Sequence, residues 1–343
     1  MRRALKRLQP GWAGWSGLLL LTAAALSAAD VPQPPDRSEA DDLALTQDLQ
    51  EFQPSPGVSG TVRCQGNGIP MVTMVSLGQS LRTIQPELIT DVAPPSRSGS
   101  FAALQAGTVD VLALPYVPTA ESLAASATGG SQPLDPERDL LIVPYAFNPI
   151  AIYVNRQNPI ASVTFEQLTG MMSRHQATDT RSETWGSLGV AGPLAERAVC
   201  LVLAGRDYNQ HRTFRKKYLQ LDDLRLDART TTTAAAALCE VGADETAFCI
   251  ASILYATPAT RILPLRTADG TLLAPTVATA QDGTYPFTIV LSLVALRSEA
   301  AKNKPLRELM RYAISRRAQR QLVDLGIFPI TTEMQKQSAA ILE

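Results

Sequence analysis

The sequence predicts an α/β protein built on parallel sheet. Two observations predict it. Between Gly60 and Leu114, short apolar runs alternate with segments whose apolar residues recur at helical spacing, and the alternation continues to Leu325. Turn residues such as Gly66-Asn67-Gly68 and Gly107 punctuate the joins. With 343 residues, 45% hydrophobic and 18% charged, the chain can bury a core and has room for two domains.

The N-terminus reads as an export signal. Arg2, Arg3, Lys6 and Arg7 form a basic start, Leu8 to Ala29 carries no charge, and Ser27 and Ala29 are small residues before Asp30. Residues 1–29 are therefore expected to be removed, with an uncleaved membrane anchor as the alternative. Cleavage takes four basic residues and moves the net charge from -1 to -5. Residues 30–57, with Pro32, Pro34, Pro35, Pro54 and Pro56, read as a solvated linker, in which Leu43, Leu45, Leu49 and Phe52 could form one short helix.

Thr61–Cys64 reads as a strand, Met71–Ile84 as a helix, Leu88–Val92 as a strand, Phe101–Ala106 as a helix ending at Gly107, and Val109–Leu114 as a third strand. That order implies right-handed crossovers in a parallel sheet. Further on, Leu140–Pro144 and Ile150–Val154 read as two strands split by Phe147-Asn148-Pro149. Thr164–Met172 is a helix, Trp185 opens a turn, and Ala198–Leu203 is a strand leading into a polar loop, Gly205 to His211. Arg212–Leu219 and Thr230–Cys239 read as helices, Ala247–Ile253 and Phe287–Ala295 as strands. Leu306–Ala313 and Ala318–Leu325 are the last helices.

Several functions are excluded or left without support. A chain with 31 basic and 32 acidic residues has no excess charge to neutralise phosphates of a nucleic acid, and 6% aromatics offer few stacking platforms. No G-x-S-x-G, P-loop or H-E-x-x-H occurs, and His175 and His211 are the only histidines. No enzyme activity, metal site or cofactor is expected. Four cysteines in an exported chain permit two disulfides, with Cys239–Cys249 the expected pair and buried free thiols the other reading.

Three polar loops each stand between a strand and a helix: Gly66-Asn67-Gly68, Arg97-Ser98-Gly99-Ser100, and Arg206-Asp207-Tyr208-Asn209-Gln210-His211. A helix N-terminus presents unpaired N–H groups and the positive end of its dipole, so such loops suit an anion, although the same residues also cap helices for structural reasons.

The order of these blocks resembles the phosphate-type substrate-binding proteins of ABC importers, within the type 2 periplasmic binding proteins. The resemblance is carried by Ser98–Asp110, by Val143–Phe147 and Ile152–Ile160, by Thr164–Leu168 and Trp185–Gly189, and by Tyr285-Pro286-Phe287 and Leu325–Ile330. It spans roughly residues 58–331. It implies two α/β lobes of mixed sheets flanked by helices, with a ligand cleft between them. The expected lobes are 58–145 plus 255–343, and 146–254.

It further implies that a small oxyanion such as phosphate is held by Asn67, Gly68, Arg97, Ser98, Gly99, Ser100, Arg206, Asn209, Gln210 and His211, with Arg206 at the anion-pairing position. Asn209-Gln210-His211 stands where the family carries Ser-Gly-Thr. Leu114-Pro115-Tyr116 stands where the family carries Ser followed by Asp or Arg, so the choice of anion stays open. The expected role is a monomeric, exported binding protein for ABC-type uptake or sensing, with a transporter permease as partner. The alternative is a ligand-free relative that serves as a protein-interaction module.

Overall fold

The structure, a computed structural model, describes residues 44–343 except Asn67, residues 95–99, 127–133, 174–182 and 205–213, and Asp222. Residues 1–29, the segment read as an export signal, lie outside the described residues.

The chain runs β1 (Gly60–Gly66), α1 (Ile69–Ile84), β2 (Leu88–Ala93), α2 (Ser100–Gln105), β3 (Val111–Leu114), α3 (Ala120–Ser126) and β4 (Leu140–Asn155). β1 lies between β2 and β3 and parallel to both. The first crossover therefore moves outward and the second passes back over β1, and right-handed connections then place α1 and α2 on opposite faces. Burial agrees: Val62, Cys64 and Val111 share a core with Met74, Leu77 and Leu81 of α1. Leu112 and Leu114 share another with Phe101 and Leu104 of α2.

The second half adds β5 (Val163–Thr164), α4 (Phe165–Met172), β6 (Cys200–Leu203), a π-helical turn (Phe214–Leu219), β7 (Arg229–Thr230), α5 (Ala234–Ala243) and β8 (Ala247–Ser252). The short elements β9 (Thr260–Ile262), β10 (Leu265–Arg266), β11 (Leu272–Leu273) and α6 (Val277–Gln281) follow. β12 (Thr288–Leu296), α7 (Arg297–Ala300), α8 (Lys304–Ala313), α9 (Arg316–Asp324) and α10 (Thr332–Leu342) complete the chain. Side-chain caps fix several helix starts: Thr164 and Gln167 form a reciprocal capping box on α4, and Thr233, Asn303, Ser315 and Thr331 cap α5, α8, α9 and α10.

The main sheet has the order β2-β1-β3-β12-β4-β8-β6-β7, with β9 also on β4. The two strands expected at 140–144 and 150–154 are one 16-residue strand, β4. Pro144 and Pro149 did not break it because residues 140–149 pair along one side with β12. On the other side β8 joins only from Ile150, so a missing N–H there costs no ladder bond with β8. A register shift between Leu291 and Ser292 bulges Tyr145 out of the pairing. The freed side chain is fully buried and its hydroxyl meets Thr73 Oγ1 at 2.7 Å.

The chain returns across the molecule at β12. Leu263, Leu265, Tyr285 and Phe287 share the core of Ile150, Ile152 and Val154, and β9 pairs with β4 at Tyr153–Asn155.

Residues 44–57, expected as solvated linker, lie against α8–α10. Leu49 is buried, Phe52 stacks edge-on to Tyr312 at 5.1 Å, and Gln50 N–H donates to Gln335 Oε1 at 2.8 Å. Buried Glu308 accepts from Ser55 N at 2.7 Å, Ser55 Oγ at 3.0 Å, Gln85 Nε2 at 2.5 Å and Arg311 at 3.0 Å. A buried carboxylate is tolerable only with such partners. The composition of this stretch hid the docking because the partner of Phe52, Tyr312, lies 260 residues away in sequence.

The expected Cys239–Cys249 disulfide is absent; all four cysteines are free. Cys249 faces inward on β8 beneath Ala237, Leu238 and Val241 of α5, while the helical period leaves Cys239 exposed. Burial pushes the Cys64 thiol up to about 12 and raises that of Cys249 as well. Alkylation of the native protein should modify Cys239 first, half-buried Cys200 more slowly, and Cys64 and Cys249 only on unfolding. Peptide mass mapping checks this, and a bridged Cys239–Cys249 peptide would contradict it.

At Gly78 an added Cβ would lie 2.9 Å from the Cβ of Thr90 and closer still to its Oγ1. Gly78→Ala should therefore lose about 1–3 kcal/mol through crowding, partly offset by the roughly 1 kcal/mol gain in helix propensity. In a Thr90→Ala background the same change should become stabilising, as measured by urea unfolding.

Candidate ligand-binding site

The strand registers converge on one place. Leu114, the last residue of β3, pairs with Ser292, midway along β12, so β12 and β4 run on beyond the carboxyl ends of β1–β3. In the second half β8 runs antiparallel to β4 and ends with Ser252 opposite Ile150, at that same junction. β6 is parallel to β8 and points its carboxyl end the same way. The parallel strands of both halves therefore aim their carboxyl ends at the junction where β4 and β12 cross. That edge is where open α/β sheets bind ligands.

The junction is held by buried polar pairs. Ser252 Oγ donates to Asn148 Oδ1 at 2.5 Å, and Tyr285 Oη donates to the Ile150 carbonyl at 2.8 Å. Phe147 and Phe328 exchange both backbone bonds at 2.9 Å. Ser292 Oγ donates to the Tyr116 carbonyl at 2.6 Å, tying the chain beyond β3 to the crossing strand.

Of the ten residues expected at the site, Gly68 and Ser100 are described. Asn67, Arg97, Ser98, Gly99, Arg206, Asn209, Gln210 and His211 lie outside the described residues. Gly68 precedes α1 with φ 58°, a left-handed conformation that favours glycine, and α1 has no side-chain cap. Pro70 at the start of α1 carries no N–H. Gly66, at the end of β1, would with a Cβ meet the Ala113 carbonyl oxygen at 3.2 Å and Met71 N at 3.4 Å, so glycine lets three backbone segments meet closely. Ser100 is the first residue of α2, at the carboxyl side of β2.

Two residues at this edge are not among the ten expected from sequence. Tyr116 follows β3, and burial raises its hydroxyl above the ordinary value. Gln65, at the end of β1, is 5% exposed and its Oε1 has no hydrogen-bond partner among the described residues. A lone glutamine in a strand carries no sequence signal. Beyond residues 205–213, the π-helical turn is anchored by Phe214, which lies 4.6 Å from Phe287 between ring centroids, within a cluster that includes Tyr218 and Tyr285.

Asp110, in the block carrying the resemblance, is occupied by Arg63. The Arg63 guanidinium and backbone N–H donate to its carboxylate at 2.6–3.0 Å. Desolvation pushes the carboxyl up, but the side-chain and backbone bonds from Arg63 outweigh it and hold it below the ordinary range. Among the described residues no group of three or more His, Cys, Asp or Glu is placed to hold a metal, and no helix is long and apolar enough to cross a membrane.

The model of the PBP superfamily domain matches residues 55–317. The chain belongs to the PBP superfamily. It is 23% identical over 299 residues to the phosphate-binding protein PstS of Pseudomonas aeruginosa, covering 85% of this chain and 90% of that protein. Its fold matches a possible phosphate binding protein from Planctomyces limnophilus with a TM-score of 0.61 and 16% identity, over 83% of this chain and 98% of that one. It also matches an ABC-type phosphate transport receptor from Vibrio cholerae with a TM-score of 0.59 and 16% identity, over 79% and 100%. The fold is the two-lobe α/β fold of these binding proteins.

The Arg63–Asp110 pair should act on stability. Asp110→Asn should cost about 0.5–1.5 kcal/mol at neutral pH, in the range of a partly exposed pair. Because the folded carboxyl titrates below its unfolded value, the wild-type advantage is present above about pH 4 and is lost as pH falls through the folded value. Urea unfolding of both proteins at pH 7 and pH 3 checks the sign: the gap should narrow in acid.

Proposed function

We propose that the chain is an exported, non-catalytic solute-binding protein that captures a small oxyanion, phosphate foremost, between its lobes and presents it to an ABC-type importer. The observation that carries this reading is the convergence of the carboxyl ends of β1–β3 and of β6 and β8 on the junction spanned by β4 and β12. The relatives named as phosphate-binding proteins and as a phosphate transport receptor support the ligand class and the transport role. In this reading residues 1–29 direct export and a monomer closes on the anion through β4 and β12. One lobe comprises β1–β3 with α7–α10, and the other the chain from the second half of β4 to Phe287. Closure follows from contacts the anion makes with both lobes at once.

After loss of residues 1–29 the net charge is -5, so affinity must come from local donors rather than from the overall field. Arg206 is proposed as the charged donor, because its planar fork suits two oxyanion oxygens. A second reading, a ligand-free relative that binds a protein partner, draws on Asn209-Gln210-His211 standing in place of hydroxyl-bearing residues.

Calorimetry against phosphate, sulfate and related oxyanions separates the two. Arg206→Ala should weaken binding of the best anion by roughly 30- to 1,000-fold, and Arg206→Lys should recover part of it. Equal affinities would remove Arg206 from the site, and no heat from wild type with any anion would favour the ligand-free reading.

A further inference from the structure

One polar side chain lies where the two cores part. Along one face of β4, Ala146 belongs to the core of the first half and Ile150 to the core of the second, with Asn148 between them. Ile289, its register partner on β12, is partly buried against both cores. β8 ends with Ser252 opposite Ile150, short of Asn148. Asn148 thus stands at the base of the junction on which the parallel strands of both halves converge. α1 begins over this same face: Ile69 shares the core of Ala146, and Thr73 Oγ1 meets Tyr145 Oη at 2.7 Å. From the other half, Phe214 packs over it with Ile150.

The carboxamide of Asn148 is held from one end. Ser252 Oγ, fully buried, accepts from Leu254 N–H at 3.2 Å and gives its own proton to Asn148 Oδ1 at 2.5 Å. That bond occupies the acceptor end and leaves the N–H groups of Nδ2, which have no partner among the described residues. Asn148 is 3% exposed. A buried donor left unpaired is costly, and a bound acceptor relieves that cost. An oxyanion is rich in acceptors, and a chain of net charge -5 without residues 1–29 must hold it with local donors.

We infer that Asn148 is a ligand-binding residue whose Nδ2 donates to an oxygen of the anion at the base of the cleft. The inference rests on the oxyanion reading above. β4 runs through both lobes, so this donor offers the anion a fixed contact at the crossing while the lobes close around it. The carboxamide adds no charge, and its acceptor end is taken by Ser252. It therefore serves any oxyanion alike, whether or not the anion carries a proton.

Calorimetry on the exported form of the chain, with inorganic phosphate and sulfate at neutral pH, tests this. Asn148→Ala removes the donor and should weaken each anion that the wild type binds by about 10- to 100-fold, the range for one lost hydrogen bond to a charged group. Asn148→Asp keeps the shape and the bond from Ser252 but sets a carboxylate against the anion, and should weaken binding by more than about 100-fold. Circular dichroism and urea unfolding establish that each variant folds, and Asn148→Ala carries the test if the buried carboxylate prevents folding. Wild-type affinity in either folded variant would overturn the inference, as would a loss in Asn148→Ala as large as that in folded Asn148→Asp, which marks a packing role. Binding of neither anion by the wild type would overturn it together with the reading on which it rests.

Discussion

Everything else in the molecule hangs on the antiparallel ladder between β4 and β12. Nine residues of β12 pair with β4 from Leu140 to Pro149, and both strands belong to the cores of both halves. An antiparallel pair can run continuously through two packed units because its hydrogen bonds are local to the two strands and do not require a common face. β3 attaches to the carboxyl half of β12, and β8 to the carboxyl half of β4. The positions of those two attachments set where the sheet edges meet, and so where a cleft can exist.

Buried polar groups reinforce this frame. Glu308 is held by four donors and fixes the chain entering β1 to α8 and α1. Gln319 donates to the Tyr145 and Ala313 carbonyls and accepts from Ile330 N, locking α9 to the bulged residue of β4. Removing one member of such a set leaves the others buried and unpaired, so each acts as an all-or-none clasp. By contrast, the exposed pair of Arg138 and Asp139 is screened by water and contributes little to the frame.

The fold was largely legible from residue order. Periodicity located β1, α1, β2, α2 and β3 to within a few residues, and the strand-helix alternation implied their parallel pairing. It failed where the deciding contact is distant. Pro149 looked like a break because the side of β4 left free of a neighbouring strand is a property of the sheet, and Phe52 looked solvated because Tyr312 lies far along the chain. The candidate site was legible as residue types in loops, of which Gly68 and Ser100 are placed at strand ends by the structure. Gln65 was not legible, since only the fold buries it and leaves its Oε1 without a partner among the described residues.

The sequence by itself determined the local conformations, the alternation that makes a parallel sheet, the caps and turn glycines, and the family to which the chain belongs. These depend on neighbours within a few residues, or on motif order, and both are written along the chain. Tertiary structure alone decided that β4 is continuous, that the return crossing is β12, that Cys239 and Cys249 stay apart, and that Asp110 is spent on Arg63. Those outcomes turn on which groups meet after long-range pairing removes them from water, and a linear pattern does not record that geometry.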